Sequence, residues 1–359
     1  MKRKYIILKA NKNSEKEKSK NVKTFNYGFA ILKSILAFLV VAAHNFESKS
    51  TNNKIILFIT KHRKFQVPSF FILSFYFMHN NLLSLNPKVI SHRLMRLLIR
   101  YIGWSLIIWK INYYWNKKFH TDFPDSFEYL KLGLLWGNRV ISIFWFLWNL
   151  IVITILFTII IFIFRKHSLF ILQIILILCY SVQYSGYYNK NNILRKYSDL
   201  SKGTFPCLFE DIPFAVTGFT FAHYKIFDKL QKNKIKTFIL SVLFYNFFDD
   251  YNIFREISVV LYPGVKYNPR AICVVFIFSL FPSDKIKNEN IGKFIRTITN
   301  HTGPVYYLHT PLRQYLSFYN DDIKNGTFRG LFITYFIIYA LSFFGMIIFG
   351  KTPFKYLFC

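Results

Sequence analysis

Cysteine is scarce in this chain, and the four residues present show no paired spacing. Zinc sites and disulfide frameworks both need cysteines grouped at short intervals, so neither is predicted. The chain also lacks a glycine-rich phosphate loop, a His-Glu-x-x-His helix and a Gly-x-Ser-x-Gly turn. Any catalysis must therefore use side chains in another arrangement, and no metal site is expected.

Acidic residues are also few, with 17 against 47 basic residues, which gives a formal net charge of +30. Such a surplus invites a nucleic-acid-binding interpretation, but the basic residues are scattered through the connecting segments instead of forming one patch. Multi-pass membrane proteins carry Lys and Arg beside membrane ends, where they fix topology and contact anionic lipids. Membrane lipids are therefore expected partners, and nucleic acid is not.

Long apolar runs are what the chain has in abundance. Hydrophobic residues make up 53% of it, and the runs 141–164 and 330–350 contain no charged residue. Both exceed the roughly 20 residues that a helix needs to cross a bilayer. The composition predicts an all-α polytopic membrane protein with about ten transmembrane helices and no soluble domain.

Apolar windows and helix breakers divide the chain into ten predicted membrane segments. These are residues 27–46, 55–77, 97–115, 141–164, 168–184, 205–224, 235–251, 271–282, 298–318 and 330–350. The predicted membrane domain is 27–350, between a Lys-rich tail (1–26) and a short C-terminal tail (351–359). No small-residue cleavage site follows the first tail, so a retained signal anchor is expected. No internal repeat is visible, unlike in inverted-repeat transporters.

Lys33 and His44 lie in one apolar segment with ten residues between them. Eleven positions at 100° each return to within about 20° of the start, so both side chains share one helix face, about 16 Å apart along the axis. An ammonium group at the centre of a membrane helix costs about 2.5–3.5 kcal/mol, which makes the pair a functional candidate. The alternatives are that Lys33 extends to the membrane surface and that His44 is an interfacial residue.

Two histidines are candidates for proton transfer. His44 suits a general base, because imidazole titrates near neutral pH and can take a proton from an attacking hydroxyl. His309 lies in the ninth segment, two residues before Pro311. A proline frees a backbone carbonyl about one turn earlier, so a purely structural hydrogen bond explains His309 equally well. His301, at the start of the same segment, is expected to cap the helix or to face water.

A basic stripe leads into the third segment and consists of His92, Arg93, Arg96 and Arg100. Intervals of three and four residues place the arginines along one helix face. Guanidinium groups bind phosphates bidentately, so the stripe could hold the phosphates of a coenzyme or nucleotide. The alternative is a juxtamembrane cluster that binds lipid headgroups and fixes topology.

Two carboxylate pairs lie near predicted membrane ends, Glu210-Asp211 in the sixth segment and Asp249-Asp250 in the seventh. Either pair could orient a histidine or contact a sugar, and either could face water. Their spacing alone does not distinguish these roles.

Five short elements occur in an order that is typical of one protein family. They are the Lys33–His44 pair and the stretches 67–74, 93–101, 144–150 and 306–309. Together they resemble the acyltransferase 3 family of membrane O-acyltransferases, whose opening helix places an Arg or Lys ahead of a His with ten residues between them. Phe75 stands where the family's second-helix stretch usually carries Gly. Lys33 lacks the bidentate phosphate recognition that an arginine would offer there.

The resemblance implies acyl transfer, usually from acetyl-CoA in the cytoplasm to a hydroxyl of a glycan or lipid-linked sugar at the outer face. His44 would be the general base on the acceptor hydroxyl, and His309 would assist proton transfer or orient the acceptor. The donor's phosphates would be bound by Lys33, Arg93, Arg96 and Arg100. The implied location is the cell membrane, with both termini cytoplasmic. The excess of basic residues in the N-terminal tail agrees with that orientation.

Two other functions remain open from the sequence. One is a transporter or flippase for a lipid-linked glycan, in which charges within the membrane line a path. The other is a non-catalytic relative that keeps the helices as a sensor or assembly partner. The Phe at position 75 is the feature that favours this second alternative.

Overall fold

The computed structural model of the protein describes most of the chain. The described residues are 26–46, 54–56, 59, 65–119, 126–136, 144–188, 204–249, 263–281 and 289–358. Two features named from the sequence lie outside them: tail residues 1–25 and Asp250.

The described residues form α-helices, two short 3₁₀ helices and no strand, which confirms the all-helical prediction. The α-helices are α1 (Tyr27–Asn45), α2 (Gln66–Leu83), α3 (Pro87–Phe119), α4 (Phe127–Trp136), α5 (Trp145–Phe164), α6 (Ser168–Tyr188), α7 (Thr204–His223), α8 (Ile226–Gln231), α9 (Lys234–Asp249), α10 (Pro263–Ser279), α11 (Glu289–Asn300), α12 (Thr302–Leu316), α13 (Asp321–Lys324) and α14 (Phe328–Phe349). The 3₁₀ helices are Arg165–His167 and Pro353–Leu357.

Three segments of the described chain are long and apolar enough to cross a membrane. They are Tyr27–Asn45, Trp145–Ser181 and Phe328–Phe349, and the second of them covers both α5 and most of α6. About ten spans were predicted, and among the described residues length and composition support a membrane span only at these three segments. The remaining predicted segments coincide with shorter or more polar helices.

Large apolar side chains are exposed on the outside of several helices. Phe162 on α5, Ile177 on α6, Ile235 on α9 and Phe336 on α14 are each more than 60% exposed. A soluble protein would bury most of such surface, whereas a helix that faces lipid carries it at no cost. These faces agree with a bundle surrounded by hydrocarbon.

Two of the predicted boundaries are wrong. The second segment was expected to end at 77, but α2 continues through the buried Met78 and Leu82 to Leu83. The ninth segment was expected to be continuous over 298–318, but the chain turns at His301, between α11 and α12. Pro304 lies in the first turn of α12, where its missing N–H needs no partner, so it marks a helix start that apolar periodicity does not reveal.

Helix α3 is longer than the predicted third segment, with 33 residues from Pro87 to Phe119. At 1.5 Å per residue it extends about 50 Å. Its first half contains the whole basic stripe, so the three arginines lie on a helix and not in a loop before one.

Helix α1 is the centre of the bundle and packs against α2, α10, α11, α12 and α14. Its buried residues lie on all sides, because its sequence is apolar around most of its circumference. Asn26 begins the helix, and its side chain Oδ1 accepts a hydrogen bond from the Phe29 N–H at 3.0 Å. Since α1 carries both Lys33 and His44, the candidate site lies in the interior.

Helices α2 and α7 approach each other closely at Gly218. A Cβ atom at this position would overlap the backbone carbonyl of Ile72. We therefore expect Gly218→Ala to destabilise the protein by about 1–3 kcal/mol, as overpacking does in other cores. The readout is the temperature at which the detergent-solubilised protein loses its monodisperse elution peak.

Gly103→Ala is the matched control for this prediction. A Cβ atom at Gly103 would meet only the end of the Leu357 side chain, which can rotate away. The control should melt close to the wild-type temperature. An unchanged melting temperature for Gly218→Ala would show that the α2–α7 packing is not as close as described.

Candidate functional site

Two histidines that are distant in sequence meet in the interior. His44 lies in the last turn of α1 and His309 in the middle of α12. Their ring centroids are 5.0 Å apart, with the ring planes inclined by 39°. His309 is buried and His44 is partly exposed. The two histidines named from the sequence therefore form one pair.

The hydrogen bonding of His309 leaves one nitrogen available. Its Nδ1 lies 3.1 Å from the Val305 carbonyl oxygen, which can only accept, so this nitrogen carries the proton. Its Nε2 is buried and has no hydrogen-bond partner among the described residues. The backbone hydrogen bond considered from the sequence is thus present, yet the ring keeps a free lone pair that can receive a proton.

Further polar groups surround the end of α1 beyond the pair. The Arg313 side chain on α12 contacts the Asn45 carbonyl oxygen, with Nη2 at 3.5 Å. The Asn45 amide donates to the Thr327 carbonyl at 3.1 Å. The Asn45 Oδ1 and Thr310 Oγ1 atoms are buried without a partner in the described part of the chain. Sequence analysis did not single these residues out, because nothing in one sequence brings α1, α12 and the start of α14 together.

A cavity of about 530 Å³ lies between the first turns of α1 and α12 and the neighbouring parts of α2, α3 and α5. Lys33, Arg93 and Arg100 line it, and none of its described lining residues is acidic. A concave site with several cations and no internal counter-charge attracts an anionic ligand. The structure thus brings together three of the four residues that the sequence suggested for phosphate binding.

Arg93 is a cation of this cavity whose contacts leave a hydrogen-bond donor for a ligand. Its Nη2 donates to the Ser74 hydroxyl at 2.7 Å, and its guanidinium lies 5.8 Å from the centre of the Phe75 ring. Its Nε is buried and has no hydrogen-bond partner among the described residues. Donor capacity therefore remains for a ligand in the cavity.

Arg96 lies apart from the cavity. Its guanidinium is 5.7 Å from the centre of the Tyr356 ring, in the C-terminal 3₁₀ helix. The Tyr356 carbonyl also accepts a hydrogen bond of 2.9 Å from Arg100 Nε, and the Tyr356 hydroxyl is 3.0 Å from His92 Nε2. The C-terminal 3₁₀ helix is therefore packed on the basic stripe, a contact that the sequence did not predict.

Phe75, which stands where the family usually has Gly, is a core residue. It is fully buried, and its ring centroid is 4.8 Å from that of Phe157 on α5. It does not line the cavity. The Phe75 ring therefore contributes to the packing of α2 on α5, and other side chains form the wall of the cavity.

The carboxylate pair on α7 contributes one buried acid. Asp211 is 3% exposed, and its Oδ2 accepts a hydrogen bond of 2.8 Å from the Asn149 amide on α5. Glu210 is less buried. The side chain of Asp249 and all of Asp250 lie outside what the structure describes. Asp211 therefore belongs to the interior and does not face water.

His301 occupies the N-cap position of α12 and is partly exposed, where the sequence predicted a residue that caps the helix or faces water. No side-chain hydrogen bond caps that helix. Its Nδ1 is instead 2.6 Å from the Ser342 hydroxyl on α14, which donates in turn to the Phe358 carbonyl at 2.8 Å. His301 thus joins the α11–α12 turn to α14 and the C-terminus.

Comparison with known proteins identifies the family of this chain. The sequence pattern of the acyltransferase 3 family, described as an acyltransferase domain, matches residues 26–351. No significant match was found among curated proteins or solved structures. The matched region includes the histidine pair, the cavity and every residue named as a site candidate. Since the match extends over most of the chain, the protein belongs to the acyltransferase 3 family of integral membrane acyltransferases.

Proposed function

We propose that the protein is a membrane O-acyltransferase that moves the acetyl group of acetyl-CoA to a hydroxyl of a cell-surface glycan or lipid-linked sugar. One observation carries the proposal. The only two histidines that the family resemblance assigns to catalysis meet at 5.0 Å, on the same two helices whose first turns line a cationic cavity.

The cavity suits the donor. Coenzyme A carries phosphates at one end, and Lys33, Arg93 and Arg100 would bind them. Phe70, Phe146 and Leu150 form an apolar wall on which the rest of the donor would lie. Arg96, which packs on Tyr356, would add positive charge without touching the donor. The bound donor would supply an activated acyl group as a thioester.

The histidine pair suits proton transfer. His44, the more exposed of the two, would accept the proton of the acceptor hydroxyl as its oxygen attacks the acyl carbon. The new ester bond forms as the carbon–sulfur bond breaks, and the leaving thiolate takes up a proton. His309, held by Val305, would orient His44 or receive its proton at Nε2.

The direction of α1 fits a reaction with reactants from two sides. Lys33 and His44 are about 16 Å apart along the helix, roughly half of the hydrocarbon thickness. A cytoplasmic N-terminus places the cavity on the cytoplasmic side and the histidine pair nearer the outer acceptor. We assign the protein to the cell membrane, with α1, α2, α3, α5, α6, α7, α9, α10, α12 and α14 as its ten spans and both termini cytoplasmic.

The test uses inside-out membrane vesicles from a bacterial host that expresses the protein. Vesicles are incubated with acetyl-CoA radiolabelled in the acetyl group, and base-labile label is counted in the extracted glycan and lipid fractions. We expect label well above that of vesicles without the protein. Label at the level of those empty vesicles would contradict the proposal, and movement of lipid-linked glycan without consumption of acetyl-CoA would indicate a flippase.

A further inference from the structure

A groove lies on the outside of the bundle, where the turn between α8 and α9 meets the end of α10. Two adjoining recesses of about 920 and 350 Å³, which share Lys234 and Ile235, form this groove. Its lining consists of residues 231–236 and 238–240 together with Ile277, Leu280 and Phe281. None of these residues is acidic, and none of them lines the donor cavity or belongs to the histidine pair.

The wall of the groove is apolar along α9 and the end of α10. Ile235 is 78% exposed, and the side chains of Phe238, Ile239 and Phe281 are each about half exposed. In a membrane such side chains contact hydrocarbon. Because α9 and α10 pack against each other, the recess between them surrounds an acyl chain on more than one side, which a flat helix face does not.

Three lysines line the same groove. Lys232, Lys234 and Lys236 are all exposed, and none of them forms an ion pair within the part of the chain that the structure describes. Residues 225–236 contain five lysines and one acid, Asp228, which does not line the groove. Unpaired cations beside an apolar recess suit a ligand that has an anionic head and an apolar tail.

The turn that carries these lysines is fixed to its neighbours. The Gln231 Nε2 atom donates to the Ser279 carbonyl at the end of α10, at 2.8 Å. The Thr237 hydroxyl donates to the Leu230 carbonyl on α8, at 3.1 Å. The backbone of the turn is therefore ordered before a ligand binds, which reduces the conformational entropy that binding would cost.

The groove lies at the end of the bundle where α1 begins. A Cβ atom at Gly28 would lie 2.9 Å from the Phe281 Cβ atom. The ring centroid of Phe29 is 5.0 Å from that of Phe227 on α8. Under the orientation proposed above this is the cytoplasmic end, and the cytoplasmic leaflet is the one whose surface is negatively charged by anionic lipids.

We propose that the groove binds one anionic phospholipid, with its phosphate at Lys232, Lys234 and Lys236 and one acyl chain between α9 and α10. Net charge sets the selectivity. A phosphatidylglycerol carries a negative charge that the lysines attract, whereas the ammonium of a phosphatidylcholine offsets its phosphate. The site is separate from the donor cavity and does not depend on the proposed reaction.

The experiment measures lipid binding to the protein purified in a neutral detergent. Phosphatidylglycerol and phosphatidylcholine with identical acyl chains are titrated separately, and native mass spectrometry gives the fraction of protein that carries each lipid. The wild type should bind phosphatidylglycerol at least about tenfold more tightly, because each lysine near a headgroup contributes about fivefold. Equal affinity for the two lipids would overturn the proposal.

A triple variant tests the lysines of the groove, with Lys232→Gln, Lys234→Gln and Lys236→Gln combined. Its affinity for phosphatidylglycerol should fall by at least about tenfold. If this variant does not elute as the wild type does, Lys234→Gln alone takes its place and should lose about fivefold. An unchanged affinity in the folded variant overturns the proposal.

The matched control removes the same charge at exposed positions outside the groove. It combines Lys88→Gln, Lys324→Gln and Lys351→Gln. Its affinity for phosphatidylglycerol should stay within about twofold of wild type. A loss equal to that of the groove variant would show a general effect of net charge and no site at the α8–α9 turn.

Ile239→Asn tests the apolar part of the groove. Ile239 is 50% exposed, and its loss should lower the affinity for phosphatidylglycerol by about three- to tenfold. Ile159→Asn is its control, because Ile159 on α5 is 49% exposed and lies outside the groove. The control should stay within about twofold of wild type. An unchanged affinity in Ile239→Asn, or an equal loss in Ile159→Asn, contradicts an acyl chain in the groove.

A soluble competitor distinguishes a lipid from a free anion. Glycerol 3-phosphate at the concentration of the lipid should not displace phosphatidylglycerol, since it lacks the acyl chains. Displacement would indicate a plain anion site and would overturn the proposal. The binding measurement needs neither acyl donor nor acceptor, so its outcome is independent of whether the protein transfers an acyl group.

Discussion

Replacing His44 by alanine is expected to lower the rate of acyl transfer by about 100- to 10,000-fold, the usual contribution of a general base. His44 is the partly exposed member of the pair and, under the proposed function, the one that takes the proton of the acceptor hydroxyl. The measurement is the initial rate of base-labile acetyl incorporation in vesicles with equal amounts of each protein. The variant should elute from a sizing column as the wild type does.

His167→Ala is the matched control for His44. His167 is exposed, in the 3₁₀ helix between α5 and α6, away from the pair. Its rate should stay within about twofold of wild type. A His44→Ala variant that retains a rate within tenfold of wild type would remove His44 from the role of general base.

Arg93→Gln is expected to raise the KM for acetyl-CoA by about 10- to 100-fold. Under the proposed function the variant loses a charge-assisted interaction with a donor phosphate, and such interactions contribute about 1.5–3 kcal/mol. Glutamine can still bond to the Ser74 hydroxyl, so the α2–α3 contact is partly kept. Since Arg93 does not contact the histidine pair, kcat should change little. Initial rates over a range of acetyl-CoA concentrations separate the two constants.

Arg165→Gln removes the same charge at an exposed position in the 3₁₀ helix after α5. Its KM for acetyl-CoA should equal that of the wild type, which excludes a general effect of net charge. A low kcat with an unchanged KM in Arg93→Gln would place Arg93 outside the donor site.

Much of the helical framework could be predicted from apolar periodicity. The first predicted segment differs from α1 by one residue, and the tenth, 330–350, closely matches α14. The predicted segments whose boundaries are wrong contain local features that apolar periodicity does not take into account. The ninth segment, for example, contains the break at His301, and Pro304 lies in the first turn of the helix that follows it.

The candidate site was only partly predictable, because it depends on contacts between distant helices. The sequence indicated that Lys33 and His44 share a helix face, but the approach of His309 to His44 depends on α12 packing against α1. The same limit applies to Arg96. Its helical spacing groups it with Arg93 and Arg100, yet Tyr356 covers it from the C-terminal 3₁₀ helix. Spacing along one helix cannot show which neighbour packs on each side chain.

The positions of Tyr306 and Asp211 also depend on contacts between distant helices, and little in the sequence indicated either. Tyr306 appeared only as part of the Tyr-Tyr-Leu-His element, and its place between the cavity and His309 follows from its neighbours on α2 and α5. Asp211 appeared as half of an acidic pair, and its burial follows from Asn149 on α5. In both cases the surroundings of the side chain become visible only when the helices are assembled.

The central claim is that one helix serves two separable sites, a donor cavity at Lys33 and a catalytic pair at His44. The most direct test measures binding of radiolabelled CoA to detergent-purified wild type, His44→Ala and Arg93→Gln. The account predicts wild-type affinity for His44→Ala, despite its loss of transfer, and an affinity at least about tenfold weaker for Arg93→Gln. Weakened CoA binding by His44→Ala, or wild-type binding by Arg93→Gln, would contradict it.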